Sequence, residues 1–186
     1  MLAFRCTAKT AEEETWSLAA ASAGDMESGG CQDHWACLAG LHVAHSLGSL
    51  AGKPDPWVSA TYSPAGACER MRHGGDLHVL KAAGGVNLST TEDAEAALWQ
   101  AWCLDSWEYH AAVRQAPKHA EVLFRRDQYG ARLLACIPRE DVPGHLLARS
   151  ECWGDLSSEE QRSLESELLV WAAGVVGGRP VCAECS

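Results

Sequence analysis

The segment from Thr90 to Pro117 constrains the fold more than any other part of the chain. Thr90 can cap a helix, Glu92 falls in the first turn, where the helix dipole favours anions, and Pro117 stops the helix. Between these limits, apolar residues recur at helical spacing, namely Leu98, Trp102, Tyr109 and Val113. The pattern predicts one long helix over about 91–116, in which Trp99 and Trp107 widen the apolar surface. We expect its tryptophans to be core residues, because large aromatic side chains dominate buried area.

The remaining pattern predicts short strands and a second long helix. Alternating or β-branched runs predict strands at 2–8, 57–62, 77–82 and 86–88. Strands at 121–126 and 131–137 flank the turn Asp127–Gly130 and predict a hairpin. Ser157 and Glu160 form a capping box for a final helix. The apolar face of that helix contains Leu164, Leu168, Trp171 and Val175.

These elements predict an α+β fold in a single globular domain over 1–178. A small, mostly antiparallel sheet, made from the 57–62, 77–82 and 121–137 segments, would pack against the long Trp-rich helix and the C-terminal helix. Residues 179–186 would form a tail that carries a CxxC pair, Cys182 and Cys185. The length of 186 residues suits one large domain with its own core.

The charge balance is acidic, with 25 Asp and Glu against 15 Lys and Arg and a net charge of −10. Direct nucleic-acid binding and binding to anionic membranes both need Lys and Arg, so the balance argues against both. Three acidic clusters, at 12–14, 92–95 and 159–167, fall at predicted helix starts or exposed helix faces. The composition therefore predicts either plain solubility or a protein partner with a basic surface, such as a nucleic-acid-binding protein.

The chain contains nine cysteines but no pattern that predicts export. The start MLAFRCTAKT lacks the apolar core and cleavage site of a signal peptide, and no apolar run is long enough to span a membrane. We therefore expect a cytoplasmic protein whose cysteines are reduced thiols, most of them small core residues.

The segment Gly29–Ser46 predicts a helix that concentrates metal-binding and nucleophilic side chains. At about 100° per residue, Cys31, His34, His42 and His45 fall within about 80° of one another. His42 and His45 are close enough along the axis to share a metal ion, whereas His34 is not. Zinc would need further ligands, for which Cys182 and Cys185, or His78, are candidates. Ordinary packing of these histidines is the alternative, and in that case we expect no cofactor.

Cys31 follows two glycines at a predicted helix start, where the dipole and free N–H groups favour a thiolate. His78 is predicted on a strand, and Asn87 on the strand that follows it. This order is similar to that of papain-like thiol hydrolases of the small cell-wall peptidase type. The resemblance implies that Cys31 is the nucleophile, His78 the base and Asn87 the residue that orients the base. His110, His119 and His145 are alternative bases.

The chain carries none of the common phosphate-binding, dinucleotide-binding, metalloprotease, serine-hydrolase or EF-hand motifs. The favoured prediction is accordingly a non-catalytic, cytosolic interaction protein, namely an inhibitor or immunity-type binder of a basic partner. Its acidity and its eight tryptophans favour that function, because Trp is a frequent interface anchor. The thiol hydrolase that uses Cys31, His78 and Asn87, and a zinc-stabilised binding domain, are the alternatives.

Overall fold

The computed structural model describes residues 1–14, 39, 42, 43, 57–99 and 106–178 of the chain. Its strands are β1 (Leu2–Thr7), β2 (Trp57–Thr61), β3 (Asp76–Lys81), β4 (Val86–Leu88), β5 (Glu121–Arg125) and β6 (Leu133–Ile137). Its helices are α1 (Ala11–Glu14), α2 (Pro64–Arg70), α3 (Thr91–Leu98), α4 (Ser106–Gln115), α5 (Tyr129–Arg132), α6 (Gly144–Glu151) and α7 (Ser158–Gly178). The sheet has the order β4-β5-β2-β1-β3-β6, and every pair with an assigned register is antiparallel. The predicted α+β class, with a C-terminal helix, is confirmed.

By its internal contacts the chain divides into two compact units. Unit 1 contains the described residues of Met1–Glu14, Ala60–Ala83 and Gly130–Ser186, and unit 2 contains those of Thr15–Ser59 and Gly84–Tyr129. Strand β2 begins in unit 2 and ends in unit 1, with the boundary between Ser59 and Ala60. Within the single domain predicted over 1–178, each unit therefore has a core of its own.

Unit 1 is organised around β1, which lies between β2 and β3. It pairs with β3 along its whole length, and Phe4 stands opposite Val79 while Arg5 stands opposite His78. Because side chains alternate along a strand, Phe4 and Arg5 point to opposite faces. Helices α2, α6 and α7 supply the apolar residues that pack with Phe4. The buried core of unit 1 is completed by Cys68, Met71, Leu77, Ile137, Leu146, Leu164, Leu168 and Ala172, among others.

The longest helix of unit 1 is α7, and the predicted capping box opens it. The Glu160 carboxylate accepts the Ser157 backbone N–H at 2.8 Å, and Ser157 Oγ accepts the Glu160 N–H at 3.3 Å. Leu164, Leu168 and Ala172 form its buried face. Across the described part of the chain, no helix combines the length and the apolar character that crossing a membrane requires.

Gly74 and Gly75 connect the helical turn after α2 to β3, and both have a left-handed backbone, with φ of 94° and 100°. A Cβ on Gly75 would lie 2.8 Å from the carbonyl carbon of Thr7, at the end of β1. A Cβ on Gly74 would have no neighbour within 4 Å. The turn therefore needs glycine at both positions for its conformation, and at Gly75 also for the close approach of two backbones.

In unit 2, β4 pairs with β5, and α3 and α4 contact each other and contribute to one apolar core. That core is formed by Ala39, Val43, Trp57, Leu88, Ala94, Leu98, Ala112, Val113, Ala116 and Leu123. In place of the single helix predicted over 91–116, the structure thus has two helices. Because these two helices pack against each other around one core, they do not form one continuous helix. The spacing of apolar residues in the sequence does not distinguish these two arrangements.

The hairpin predicted from the strands at 121–126 and 131–137 is wrong, although both strands exist. β5 pairs with β4, whereas β6 pairs with β3. The expected turn residue Asp127 instead forms an ion pair with Arg125 at 2.7 Å, inside a helical connection that continues through α5. Tyr129, which begins α5, is completely buried. Anchoring of Tyr129 makes this connection a packed helical segment rather than a tight exposed turn.

Candidate functional site

Of the three proposed catalytic residues, the structure describes His78 and Asn87. Cys31 lies outside the described residues. His78 is in the middle of β3 in unit 1, only 2% exposed, with Arg5 and Cys136 as its neighbours on the adjacent strands. Burial, reinforced by the positive charge of Arg5, lowers the pKa of His78 and keeps its imidazole neutral at pH 7.

Asn87 lies in β4 of unit 2, and its amide is engaged at the start of α3. Its Nδ2 donates to Asp93 Oδ2 at 2.8 Å, and its Oδ1 accepts the Ser89 N–H at 3.0 Å. Thr90 caps the same helix, with its Oγ1 accepting the Asp93 N–H at 3.0 Å. The described contacts therefore give Asn87 a role in ordering the β4–α3 connection.

Two described cysteines of unit 1 have a raised thiol pKa. Burial raises the pKa of Cys68 to about 12, and burial also raises the pKa of Cys6 despite Arg70 and Arg5 nearby. A thiolate is the attacking form of cysteine, so neither thiol is activated. Cys6, Cys68, Cys136 and Cys152 are all free of disulfides.

Of the proposed metal ligands, His42 is described in unit 2 and the alternative ligand His78 in unit 1, while His45, Cys182 and Cys185 lie outside the described residues. The Nε2 atom of His42 is 3.6 Å from Oε1 of Glu121, and both residues are buried in unit 2. Ser59 Oγ donates to the same Glu121 oxygen at 2.6 Å. Among the residues that the structure describes, His, Cys, Asp and Glu form no group of three or more that could hold a metal ion.

Ser59, Glu121 and His42 form a buried cluster, and the order of their side chains determines what the cluster can do chemically. The Glu121 carboxylate lies between the Ser59 hydroxyl and the His42 imidazole. In a nucleophilic relay the imidazole would instead lie between hydroxyl and carboxylate. The cluster is therefore suited to fastening the helical residue His42 to strands β2 and β5. Glu121 was not singled out from sequence, although a charged residue at the head of the apolar run EVLF was a usable signal.

A second buried carboxylate is Glu14, a member of the 12–14 cluster that was predicted at a helix start or on an exposed helix face. Glu14 has no exposed surface, and its Oε1 accepts Nε and Nη2 of Arg5, at 3.2 and 3.0 Å, and Oγ1 of Thr7 at 3.0 Å. Burying a carboxylate is costly unless it is paired and hydrogen-bonded, as it is here. Arg5 and Thr7 lie two residues apart on one face of β1, so Glu14 fixes α1 to the sheet.

Among the described residues of unit 2, those on the outer side of α3 form an unusual exposed surface. Glu92, Glu95 and Ala96 are exposed, and Trp99 at the C-terminal cap is 77% exposed. Positions i, i+3, i+4 and i+7 share one face of a helix, so these residues form a single stripe. Ala94 and Leu98 occupy the opposite, buried side.

Trp107 on α4 is 60% exposed, so the prediction of core tryptophans is wrong for both Trp99 and Trp107. Trp102 lies outside the described residues. Tyr109, also on α4, packs partly against the unit 2 core. Burial and the charge of Glu95 raise the pKa of Tyr109, which places the α3 carboxylate near the phenol. We call Glu92, Glu95 and Trp99 the tryptophan surface; Trp107 is a second exposed tryptophan, on α4.

Comparison with known proteins gives no relative from which a function could be transferred. No protein-family model matches the chain, and neither a curated protein nor a solved structure is significantly similar to it.

Proposed function

We propose that the protein is a non-catalytic interaction protein, an inhibitor or immunity-type binder, that holds a basic partner protein through the tryptophan surface. The observation that carries the proposal is the 77% exposure of Trp99 at the end of an acidic helical stripe. Exposed carboxylates at helix starts serve solubility, whereas large exposed aromatic side chains do not. Tryptophan is enriched among the residues that dominate binding energy.

The size of the anchor supports a specific interface. A buried Trp removes about 150–250 Å² of surface from water. At an interface hot spot, its truncation to Ala costs about 2 kcal/mol or more, which is about 30-fold in Kd. Trp99 and Trp107 each offer such an anchor to a partner.

The charge of the surface indicates the class of partner. Glu92 and Glu95 precede Trp99 on the same face of α3, and the whole chain has a net charge of −10. A positively charged surface would be attracted over long range and would find carboxylates beside the aromatic anchor. The expected partner is thus a protein with a basic face, such as the nucleic-acid groove of a nuclease or a DNA-binding protein. We propose a cytoplasmic location, the compartment in which the cysteines of this chain would stay reduced.

The test begins with cross-linking and capture of partners from cell extract at two salt concentrations, about 0.05 M and about 0.5 M NaCl. The Debye screening length is about 10 Å at 0.1 M salt, so it is longer than this in the first condition and shorter in the second. Each captured protein is then purified and titrated against the wild type, Trp99→Ala, Trp107→Ala and the double variant Glu92→Gln/Glu95→Gln. Glu159→Gln, at an exposed carboxylate of unit 1, is the control for removing one negative charge away from this surface.

We expect a partner with a basic surface. Its affinity should fall about 30-fold or more in Trp99→Ala. Its association rate should fall, together with its salt dependence, in Glu92→Gln/Glu95→Gln but not in Glu159→Gln. The proposal is refuted if every purified partner binds the tryptophan variants as tightly as the wild type, or if no partner has a basic surface.

The thiol-hydrolase and zinc proposals stay predictions, because Cys31, His45, Cys182 and Cys185 lie outside the described residues. Alkylation of Cys31 against pH tests the first, which needs a thiol pKa well below the ordinary value of about 8.5. Metal analysis of protein purified without chelators tests the second, which needs about one equivalent of zinc.

A further inference from the structure

The carboxylate of Glu95 lies beyond the first turn of α3 and has no described partner. Thr90 caps the helix, and Asp93 serves that cap, since its Oδ2 accepts both Asn87 Nδ2 at 2.8 Å and Thr90 Oγ1 at 2.7 Å. Glu95 follows two residues later, where the helix dipole no longer favours an anion. No hydrogen bond or ion pair joins it to any residue that the structure describes. Helix capping therefore accounts for Asp93 but not for Glu95.

Two aromatic side chains lie next to Glu95. Trp99 follows it by one helical turn, and the Trp99 backbone keeps helical angles, with φ of −51° and ψ of −34°. The Cβ atoms of such a pair are about 5–6 Å apart, and the Cα–Cβ bond of Trp99 is tilted toward the helix N-terminus and so toward Glu95. Tyr109, whose pKa is raised by burial and by the charge of Glu95, comes near from α4, which packs against α3. The Glu95 carboxylate thus has an indole and a phenol as neighbours.

We propose that Glu95 and Trp99 form a binding site for the guanidinium group of an arginine side chain of the partner. This inference rests on the proposed function and names the residue type by which the basic partner is held. A guanidinium group is planar, so it can lie flat on an indole ring and donate two parallel N–H bonds to a carboxylate beside that ring. Glu92, on the same face of α3, adds a second negative charge without a described partner. The last turn of α3 carries no basic side chain that could compete for these carboxylates.

The exposure of the site favours arginine over lysine. Trp99 is 77% exposed, so the site does not strip water from a bound cation. The ammonium group of lysine is compact and strongly hydrated, whereas a guanidinium group is weakly hydrated and stacks on aromatic rings. An exposed ion pair contributes little by itself, so the contact with the indole has to supply the discrimination. The expected occupant is accordingly an arginine, and a lysine in the same place should bind more weakly.

The experiment is an NMR titration of the full chain with two blocked peptides, Gly-Arg-Gly-Arg-Gly and Gly-Lys-Gly-Lys-Gly. A salt concentration of about 0.15 M limits attraction by distant charges. The indole N–H signals are followed, that of Trp99 being identified by its loss in Trp99→Phe, and the exposed Trp107 serves as the internal control. We expect the Trp99 signal to report a Kd for the arginine peptide about 2–5-fold lower than that for the lysine peptide. Glu95→Gln should raise the Kd of the arginine peptide about 2–5-fold, whereas Glu159→Gln in unit 1 should not.

Equal Kd values for the two peptides overturn the guanidinium site. So does a Trp99 signal that moves no more than the Trp107 signal, or an arginine-peptide Kd that Glu95→Gln and Glu159→Gln change alike. Failure of the proposed function gives a different result, because no captured partner then loses affinity in Trp99→Ala. A captured partner that depends on Trp99, together with equal Kd values for the two peptides, refutes the guanidinium site and leaves the proposed function standing.

Discussion

Replacement of Gly75 by alanine should destabilise unit 1 more than the same replacement at Gly74. Both residues have a positive φ, of 100° and 94°, that L side chains rarely adopt, which costs about 1–3 kcal/mol for alanine at either position. At Gly75 the new Cβ would also lie 2.8 Å from the carbonyl carbon and 2.9 Å from the oxygen of Thr7. Because those atoms belong to the backbone of β1, relief requires a shift of the strand, which costs roughly a further 1–3 kcal/mol.

The comparison isolates this contact, because the loss of unfolded-state freedom from Gly to Ala is the same at both sites. The free energy of unfolding is measured by urea titration with far-UV circular dichroism, and the slopes show whether two-state unfolding holds. Thermal midpoints should differ between the two variants by about 2–12 °C for a chain of this size. If Gly75→Ala and Gly74→Ala agree within about 0.5 kcal/mol, the close approach of the turn to β1 is not a constraint on stability.

Three further predictions concern buried ionisable groups of unit 1. Glu14→Gln should lower the free energy of unfolding by about 2–4 kcal/mol, because Arg5, with 22% side-chain exposure, loses its counter-ion. The same replacement at the exposed Glu12 should lower it by less than about 0.5 kcal/mol in the same urea titration. The lowered pKa of His78 means that the unfolded chain protonates first, so wild-type stability should fall relative to His78→Gln as pH drops below about 6.5. The raised pKa of Glu165, which burial causes, gives the opposite sign, so wild-type stability should fall relative to Glu165→Gln as pH rises above about 4.3.

Each of these has a distinct contrary result. Equal unfolding free energies for the Glu14 and Glu12 variants would show that the Arg5 pair contributes no net stability. Parallel stability curves for wild type and His78→Gln between about pH 7 and pH 5 would mean that His78 has an ordinary pKa in the fold. For Glu165, parallel curves between about pH 4 and pH 7 would mean that burial does not raise the pKa of its carboxyl group.

Local chemistry made part of the fold predictable. The alternation in β1 and the β-branched run of β2 specify strands by themselves. Ser157 and Glu160 satisfy each other's backbone groups, so the start of α7 is determined within four residues. Such local patterns do not specify which strands pair with each other. Whether β5 pairs with β6 or with β4 depends on residues far away in the chain, which a local pattern does not contain.

The same reason limited the prediction of sites. Glu14 looks like a solvent-exposed helix-start acid until Arg5 and Thr7 come from β1 to meet it. Trp99 is spaced as a core residue would be, but Leu98 takes the inward position of α3 and leaves Trp99 outside. Helical spacing identifies apolar positions and does not identify which side of the helix the rest of the chain covers.

The place of β1 in unit 1 has a consequence for synthesis on the ribosome. Phe4 belongs to a core that Leu164, Leu168 and Ala172 complete, so β1 depends on α7, the last of the described helices. At about 5–20 residues per second, roughly 10–30 s pass between the emergence of these two parts of the chain. A large separation in sequence between contacting residues also predicts slow folding. During translation β1 thus has to wait for its packing partners in α7, and the described core of unit 1 is complete only after α7 has left the exit tunnel.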